Sequence, residues 1–256
     1  MLIAVNAGNS RVLLGGYEED GQVFSASIAT EPKLTRDDYA CKLQQVLLLY
    51  GVNVRRIHGG IVSSVVPSMV GVLEGALRLL GICDVIEVSS GVKTGLNIRS
   101  EQPRQVGSDR VAAAVAARAK GKLPCVAVTL GTATTFTALD QSGALVGSAI
   151  TAGVQLSLLA LREQAAQLPA VAIDAKDEGI LARNTVDAMR VGAVYGAASL
   201  VDGMVERFAE ALGETPYVVL TGELAPLVTP YLRIPFEYDE SLVLDGLHLI
   251  WKKNRG

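Results

Sequence analysis

The sequence predicts an α/β protein made of two related halves, and three observations lead there. An apolar strand running into a glycine turn and back out as a second strand occurs twice, at residues 2–21 and 126–143. Each half then alternates short apolar runs with segments of helical period, which argues for mixed sheets flanked by helices. No linker-like or low-complexity stretch interrupts the chain. Gly8 of the first hairpin matches Gly131 of the second, and Asn6 matches Thr129. A lone hairpin of this kind is ordinary turn chemistry. Two copies half a chain apart point to paired subdomains with a ligand cleft between them. Glycine admits an anion close to the main chain, and N–H groups with nearby hydroxyls or amides form a nest for phosphate oxygens.

After the first hairpin, residues 23–28 read as a third strand. Thr35 is placed to cap a helix whose apolar positions Tyr39, Leu43, Val46, Leu47 and Tyr50 recur at helical spacing until Gly51 stops it. Residues 57–65 form an apolar strand, Pro67 opens a helix to residue 80, and residues 85–88 make a short strand. Residues 91–106 mix Gly, Asn, Ser and Pro without period and are expected as a loop. Gly107, Ser108, Asp109 and Arg110 then open an alanine-rich helix to residue 120. The boundary falls near residues 118–123, giving domains 1–120 and 121–256. In the second half the hairpin is followed by a strand at 146–150 and helices at 155–167 and 185–212. A strand at 217–220, a turn at Thr221-Gly222 and a closing helix at 241–252 complete it. Along the longest helix Ala188, Gly192, Tyr195, Gly196, Ser199 and Gly203 form a seam of mostly small residues, open to two readings: core packing or a dimer contact.

Half of the 256 residues are apolar, enough for a substantial core. The net charge is −3 with basic residues scattered, which speaks against a nucleic-acid surface and for a small polar ligand. Cys41, Cys83 and Cys125 stand far apart without a CxxC pair and read as small buried hydrophobes, not a disulfide frame or zinc site. The first residues carry no basic segment, and no window of 18 apolar residues occurs, so a soluble, cytoplasmic protein without membrane contact is expected. His58 and His248 lack a partner at motif spacing and read as structural. Asp174, Asp177 and Glu178 read as a solvated acidic surface, with a metal role as the other reading.

With Gly8-Asn9-Ser10, Gly107-Ser108-Asp109-Arg110, Gly131-Thr132-Ala133-Thr134-Thr135 and Asn184-Thr185 in this order, the chain resembles the type III pantothenate kinases over nearly its whole length. Ser63-Ser64-Val65-Val66-Pro67, Leu168-Pro169, Thr221-Gly222 and Leu244-Asp245-Gly246-Leu247 add to the likeness. The resemblance implies an actin-like ATPase fold of two ribonuclease H-like domains with a cleft between them. It implies ATP-dependent phosphorylation of the hydroxyl end of pantothenate, the first step of coenzyme A biosynthesis, by a homodimer using Mg2+ and K+ or NH4+. Asn6, Ala7, Gly8, Asn9, Ser10, Arg11, Val12 and Leu13 would hold ATP phosphates, as would Thr132. Asp109 would be the general base, and Ser100, Gly107, Ser108, Asp109, Arg110 and Thr185 would line the pantothenate site. Asp109 has a plainer reading too, as an acid favoured by the dipole at a helix start.

The chain departs from that family at four places. Asn6 stands where an aspartate organises metal and phosphates, and Thr129 stands where an aspartate ligates the monovalent cation. Ser100 replaces a substrate-contacting tyrosine, and Glu223 replaces a second glycine after Thr221-Gly222. Charge-assisted contacts are about twice as strong as neutral ones, so an amide or hydroxyl is a weaker ligand for hard cations. Two further expectations follow: a catalytically impaired relative serving as a binding or regulatory protein, or a kinase for another small hydroxylated acceptor.

Overall fold

The computed structural model describes residues 1–173 and 179–255. Asp174, Asp177 and Glu178, the acidic cluster singled out in the sequence, lie outside the described residues. The chain divides into two compact units, one of Met1–Lys120 with the closing segment from Ser241, the other Gly121–Glu240.

In the first unit β1 (Leu2–Ala7), β2 (Arg11–Glu18) and β3 (Gly21–Ala29) form an antiparallel meander. β4 (Gly59–Ser64) and β5 (Val85–Glu87) add in parallel beyond β1, giving the order β3-β2-β1-β4-β5. Every residue of β1 is buried, as a central strand covered on both faces requires. One face carries Ile3, Val5, Ala7, Val12, Leu14 and Val62, packed against α1 (Arg36–Leu49) and α2 (Pro67–Leu79). Thr35 and Asp38 close a capping box on α1, and Gly51 supplies the left-handed residue after its end.

The opposite face meets α3 (Ser108–Ala119) and α7 (Leu242–Arg255). Here two glycines set the distances: a Cβ on Gly59 would stand 2.3 Å from the Trp251 ring, and one on Gly246 1.9 Å from Ala112 O. The Tyr17 hydroxyl donates to Asp245 Oδ1 at 2.7 Å and so pins α7 to β2. The residues from 241 on were expected in the second domain but pack in the first unit. α7 has a buried face of Leu244, Leu247, Ile250 and Trp251, and Gly246 lets it lie directly on α3.

The second unit repeats the scheme. β6 (Cys125–Leu130), β7 (Ala133–Leu139) and β8 (Leu145–Ala152) form the meander, and β9 (Tyr217–Thr221) and β10 (Glu237–Tyr238) extend it in parallel. Both sheets thus share one ribonuclease H-like order and sense, as the resemblance implied. Val126, Val128, Leu130, Phe136, Val218 and Leu220 pack with Val154 of α4 (Val154–Gln164) and with Ala198, Val201 and Val205 of α5 (Thr185–Leu212). Ala225 and Val228 of α6 (Ala225–Val228) close this core. Asn184 caps α5 by accepting from Asp187 N–H at 3.0 Å. Ala188, Gly192, Gly196 and Ser199 are exposed, and a Cβ at either glycine would meet nothing within 4 Å, so among the described residues these four are not core packing; Tyr195 and Gly203 of the same seam are half-buried.

Cys125 is buried, and burial pushes its thiol up to about 12. Cys41 and Cys83 are exposed, against the expectation of buried hydrophobes: Cys41 lies on the outer side of α1 and Cys83 in the connection between α2 and β5. Among the described residues no helix is long and apolar enough to cross a membrane.

Candidate active site

In the first unit the β1–β2 turn is built by hydrogen bonds from the two neighbouring strand ends. Gly8 N–H closes it onto Arg11 O at 2.8 Å, Thr30 donates its N–H to Ser10 O at 2.9 Å and its hydroxyl to Gly8 O at 2.8 Å, and Val65 N–H reaches Ala7 O at 3.1 Å. The glycine N–H is therefore spent inside the turn and is not a phosphate donor. Gly8 serves instead by lacking a side chain where a Cβ would crowd Arg11 O at 3.3 Å. Of the expected phosphate contacts, Asn9, Ser10 and Arg11 are exposed, Leu13 is half-buried, and Ala7 and Val12 point into the core, leaving only their main chain for a ligand.

Asn6 lies one residue below this turn, 6% exposed, and its Oδ1 has no hydrogen-bond partner among the described residues. It stands in register with Leu13 on one side and Ser63 on the other. Ser63, 1% exposed, donates to Ser108 Oγ at 2.8 Å, and Ser108 donates in turn to Ser64 O at 3.3 Å. The structure thereby brings Asn6 and the start of α3 together through a residue to which the sequence alone assigned no role.

Asp109 sits in the first turn of α3, half-buried, with Oδ1 accepting from Arg110 N–H at 2.8 Å. Burial raises its carboxyl above the ordinary aspartate range, against the opposing pull of that hydrogen bond and the Arg110 charge. A carboxylate held this way is a better proton acceptor near neutral pH than a solvated one. Gly107 precedes the helix, and a Cβ there would stand 2.7 Å from Asp109 Oδ1. Beside this turn opens a pocket of about 1080 Å³ lined by Ser64, Pro67, Val88, Arg104, Gly107, Ser108 and Val111, among others. It mixes apolar walls with a few polar groups, the make-up of a small-molecule site. Ser100 is exposed on the loop after β5 and accepts from Gln102 N–H at 3.3 Å.

In the second unit Gly131 N–H is likewise spent, on Ala133 O at 3.2 Å. Gly153, to which the sequence alone assigned no role, and Gly222 of the expected turn pack directly on this turn. A Cβ on Gly153 would stand 2.1 Å from Gly131 O, and one on Gly222, at φ +107°, 2.3 Å from Leu130 O. Thr132 is half-buried in the turn, and its carbonyl accepts from Gly153 N–H at 3.0 Å. Thr129 stands in register with Thr135 and Thr221, so three hydroxyls form a row across β7, β6 and β9. Thr185 is exposed in the first turn of α5.

The donors present suit a nucleotide better than a protein-held ion. Exposed turns with close-packed glycines fit phosphate oxygens, but Asn6 and the threonine row are neutral oxygens. No group of three or more His, Cys, Asp or Glu is placed to hold a metal among the described residues. The residues at the positions expected for Mg2+ and K+ do not fit these ions as carboxylates would.

Known proteins agree on one family. A family model described as type III pantothenate kinase matches residues 2–207. A type III pantothenate kinase of Geotalea daltonii is 38% identical over 256 residues, covering 100% of this chain and 99% of its own. One of Pelobacter propionicus is 39% identical over 255 residues, covering 100% of both. Among solved structures, a Baf family transcriptional activator from Campylobacter jejuni superposes with TM-score 0.58 at 17% identity over 98% of each chain. MreB 5 of Spiroplasma citri, solved with AMPPNP bound, gives TM-score 0.56 at 13% identity over 99% of this chain and 96% of its own. The fold is that of the actin-like ATPases, as the sequence implied.

Proposed function

The chain belongs to the type III pantothenate kinase family, and from that premise we propose that it transfers the terminal phosphoryl group of ATP to the hydroxyl end of pantothenate. Asp109 takes the proton as the hydroxyl oxygen attacks phosphorus, and ADP leaves. Gly107, Ser108 and Arg110 hold pantothenate, and Thr185 contributes to its site. Asn9, Ser10, Arg11 and Thr132 hold ATP phosphates, with the main chain at Asn6, Ala7, Gly8, Val12 and Leu13 shaping that turn. Phosphoryl transfer asks mainly for positioning and charge stabilisation, plus one acceptor for the hydroxyl proton. Magnesium spreads charge on the nucleotide's phosphates when bound; no protein ligand is assigned to it.

The observation that carries the reading is Asp109: an acid in the first turn of α3, its carboxyl raised by burial, next to a pocket of small-molecule size. Purified protein given ATP, magnesium and pantothenate, with and without potassium, tests it beside Asp109→Asn. Phosphopantothenate from the wild type and none from the variant supports the assignment; equal product from both removes Asp109 from the chemistry.

Two features favour other readings. Neutral Asn6 and Thr129 at the cation positions favour a relative that binds without turnover, in which case ATP or pantothenate binds and no product forms. Ser100 favours a different small hydroxylated acceptor, which a panel of such acids in the same assay would identify. A homodimer is part of the proposal. Ile150, Leu156 and Leu159 are 62%, 42% and 43% exposed, and the Gly192 and Gly196 face of α5 is uncovered, as a helix-pairing surface of the second unit needs to be.

A further inference from the structure

We propose that Ser63 is a positioning residue for the base: its buried hydroxyl ties β4 to the first turn of α3 and thereby fixes where the Asp109 carboxylate stands. The inference rests on the reading of Asp109 given above. A serine that is 1% exposed near the end of β4 is costly unless its hydroxyl is bonded, and an alanine would meet the steric need without that cost. The bond it makes leaves the strand altogether, running 2.8 Å to Ser108 Oγ, 45 residues on. Its in-register neighbour Asn6 has an unpartnered Oδ1, yet the Ser63 proton goes to α3.

Packing on α7 holds the body of α3 from Ala112 on, but its first residues need a polar anchor of their own. Gly107 gives no side-chain capping bond, so the first turn lacks the usual local anchor. Ser108, which would ordinarily be free for ligand, has its hydroxyl engaged twice, accepting from Ser63 and donating to Ser64 O at 3.3 Å. Gly107 leaves the space that the carboxylate occupies, since an added Cβ there would stand 2.7 Å from Oδ1. A drift of α3 at Ser108 therefore carries Asp109 with it.

The test uses the full chain with Ser63→Ala, Ser108→Ala, the double variant and Ser63→Thr. Two readouts are taken: steady-state kinetics with pantothenate, and titration of the Asp109 carboxyl by carbon NMR. Ser63→Ala is expected to lower kcat on the order of 10- to 100-fold, the effect of a misplaced reacting group, with KM for ATP within about twofold. It is also expected to let Asp109 titrate nearer the ordinary aspartate range. Ser63→Thr keeps the hydroxyl and is expected to restore both. The double variant should be no worse than the poorer single one, because both break one contact. If Ser63→Ala fails to fold, Ser108→Ala breaks the same tie from the less buried end and is read by the Asp109 titration alone, because Ser108 also stands in the pantothenate site. A wild-type Asp109 titration in both alanine variants, or effects that multiply in full, overturns the proposal. Absence of turnover in the wild type counts against the kinase reading alone, since the titration decides the positioning role by itself.

Discussion

A Cβ on Gly107 would stand 2.7 Å from Asp109 Oδ1, closer than non-bonded contact allows, while the Gly107 backbone at φ −54°, ψ 137° suits any residue. The glycine is thus required by its neighbour's carboxylate and not by its own conformation. Gly107→Ala should leave the fold intact, with at most about 1 kcal/mol lost at the helix cap. It should lower kcat/KM by roughly 10- to 100-fold as the carboxylate swings away. Melting temperature and steady-state kinetics check it: with Asp109→Ala already present, Gly107→Ala should lower kcat/KM no further, and only the small cap cost should remain in the melting temperature.

Asp109 titrates above the ordinary aspartate range because it is buried. A base must be ionised to act, so activity should be retained at neutral pH and lost as pH falls through that raised value, at a higher pH than a solvated aspartate would give. Stability runs the other way. The folded state holds the proton more tightly than the unfolded one, so this group's contribution is fully present below the unfolded value and is lost as pH rises through the folded one. Asp109→Asn should therefore cost about 10²- to 10⁴-fold in kcat while raising the melting temperature at pH 7. A pH–rate profile and parallel melting curves read both signs.

How much of this was legible beforehand depends on range along the chain. Thr35, Pro67 and Gly51 punctuate helices through local chemistry, and the structure places those ends within a residue or two of the sequence reading. Glu237 and Tyr238 form a strand of two residues, too short to show a period. The membership of α7 was invisible for another reason. A helix's apolar face shows that it packs but not on which sheet, and only the fit of Gly246 against Ala112 O settles that. Ser63 belongs to the same class: its partner lies 45 residues away, and nothing around Ser63 names Ser108.

Asn6→Asp probes the lost carboxylate. Oδ1 at this position is buried with no partner among the described residues, so an aspartate there would place an uncompensated charge in the first unit. The variant should melt lower than wild type without ligand and regain the loss when magnesium and ATP are added. If the missing charge limits turnover, the contact restores about 1.5 to 3 kcal/mol and the rate rises roughly 10- to 100-fold. Melting curves with and without magnesium-ATP, read beside initial rates, separate the two effects.

Thr129 sits in a row of hydroxyls with Thr135 and Thr221, neutral oxygens that draw a monovalent cation less strongly than a carboxylate would. Turnover by the wild type should therefore change less than about twofold between potassium and a large organic cation at equal ionic strength. Thr129→Asp should create a dependence on potassium or ammonium, since a carboxylate is the stronger ligand for a hard cation. Rates across a potassium series for the two proteins check this, and a strong potassium effect on the wild type would refute it.

Gly246 and Ala112 set the spacing of α7 on α3, and both atoms in the tightest approach are main chain: a Cβ on Gly246 would stand 1.9 Å from Ala112 O and 2.5 Å from its carbonyl carbon. No rotamer relieves such a clash, so Gly246→Ala must push the helices apart and expose part of a face that holds Leu247, Ile250 and Trp251. The cost should be about 3 kcal/mol or more, at the upper end of overpacking. Because α3 also carries Asp109, kcat should fall along with stability. Ala112→Gly should give no rescue, for it removes a side chain and leaves the carbonyl in place. Denaturant melts of Gly246→Ala with and without Ala112→Gly decide the point, and recovery in the double variant would show that the side chain, not the backbone, sets the spacing.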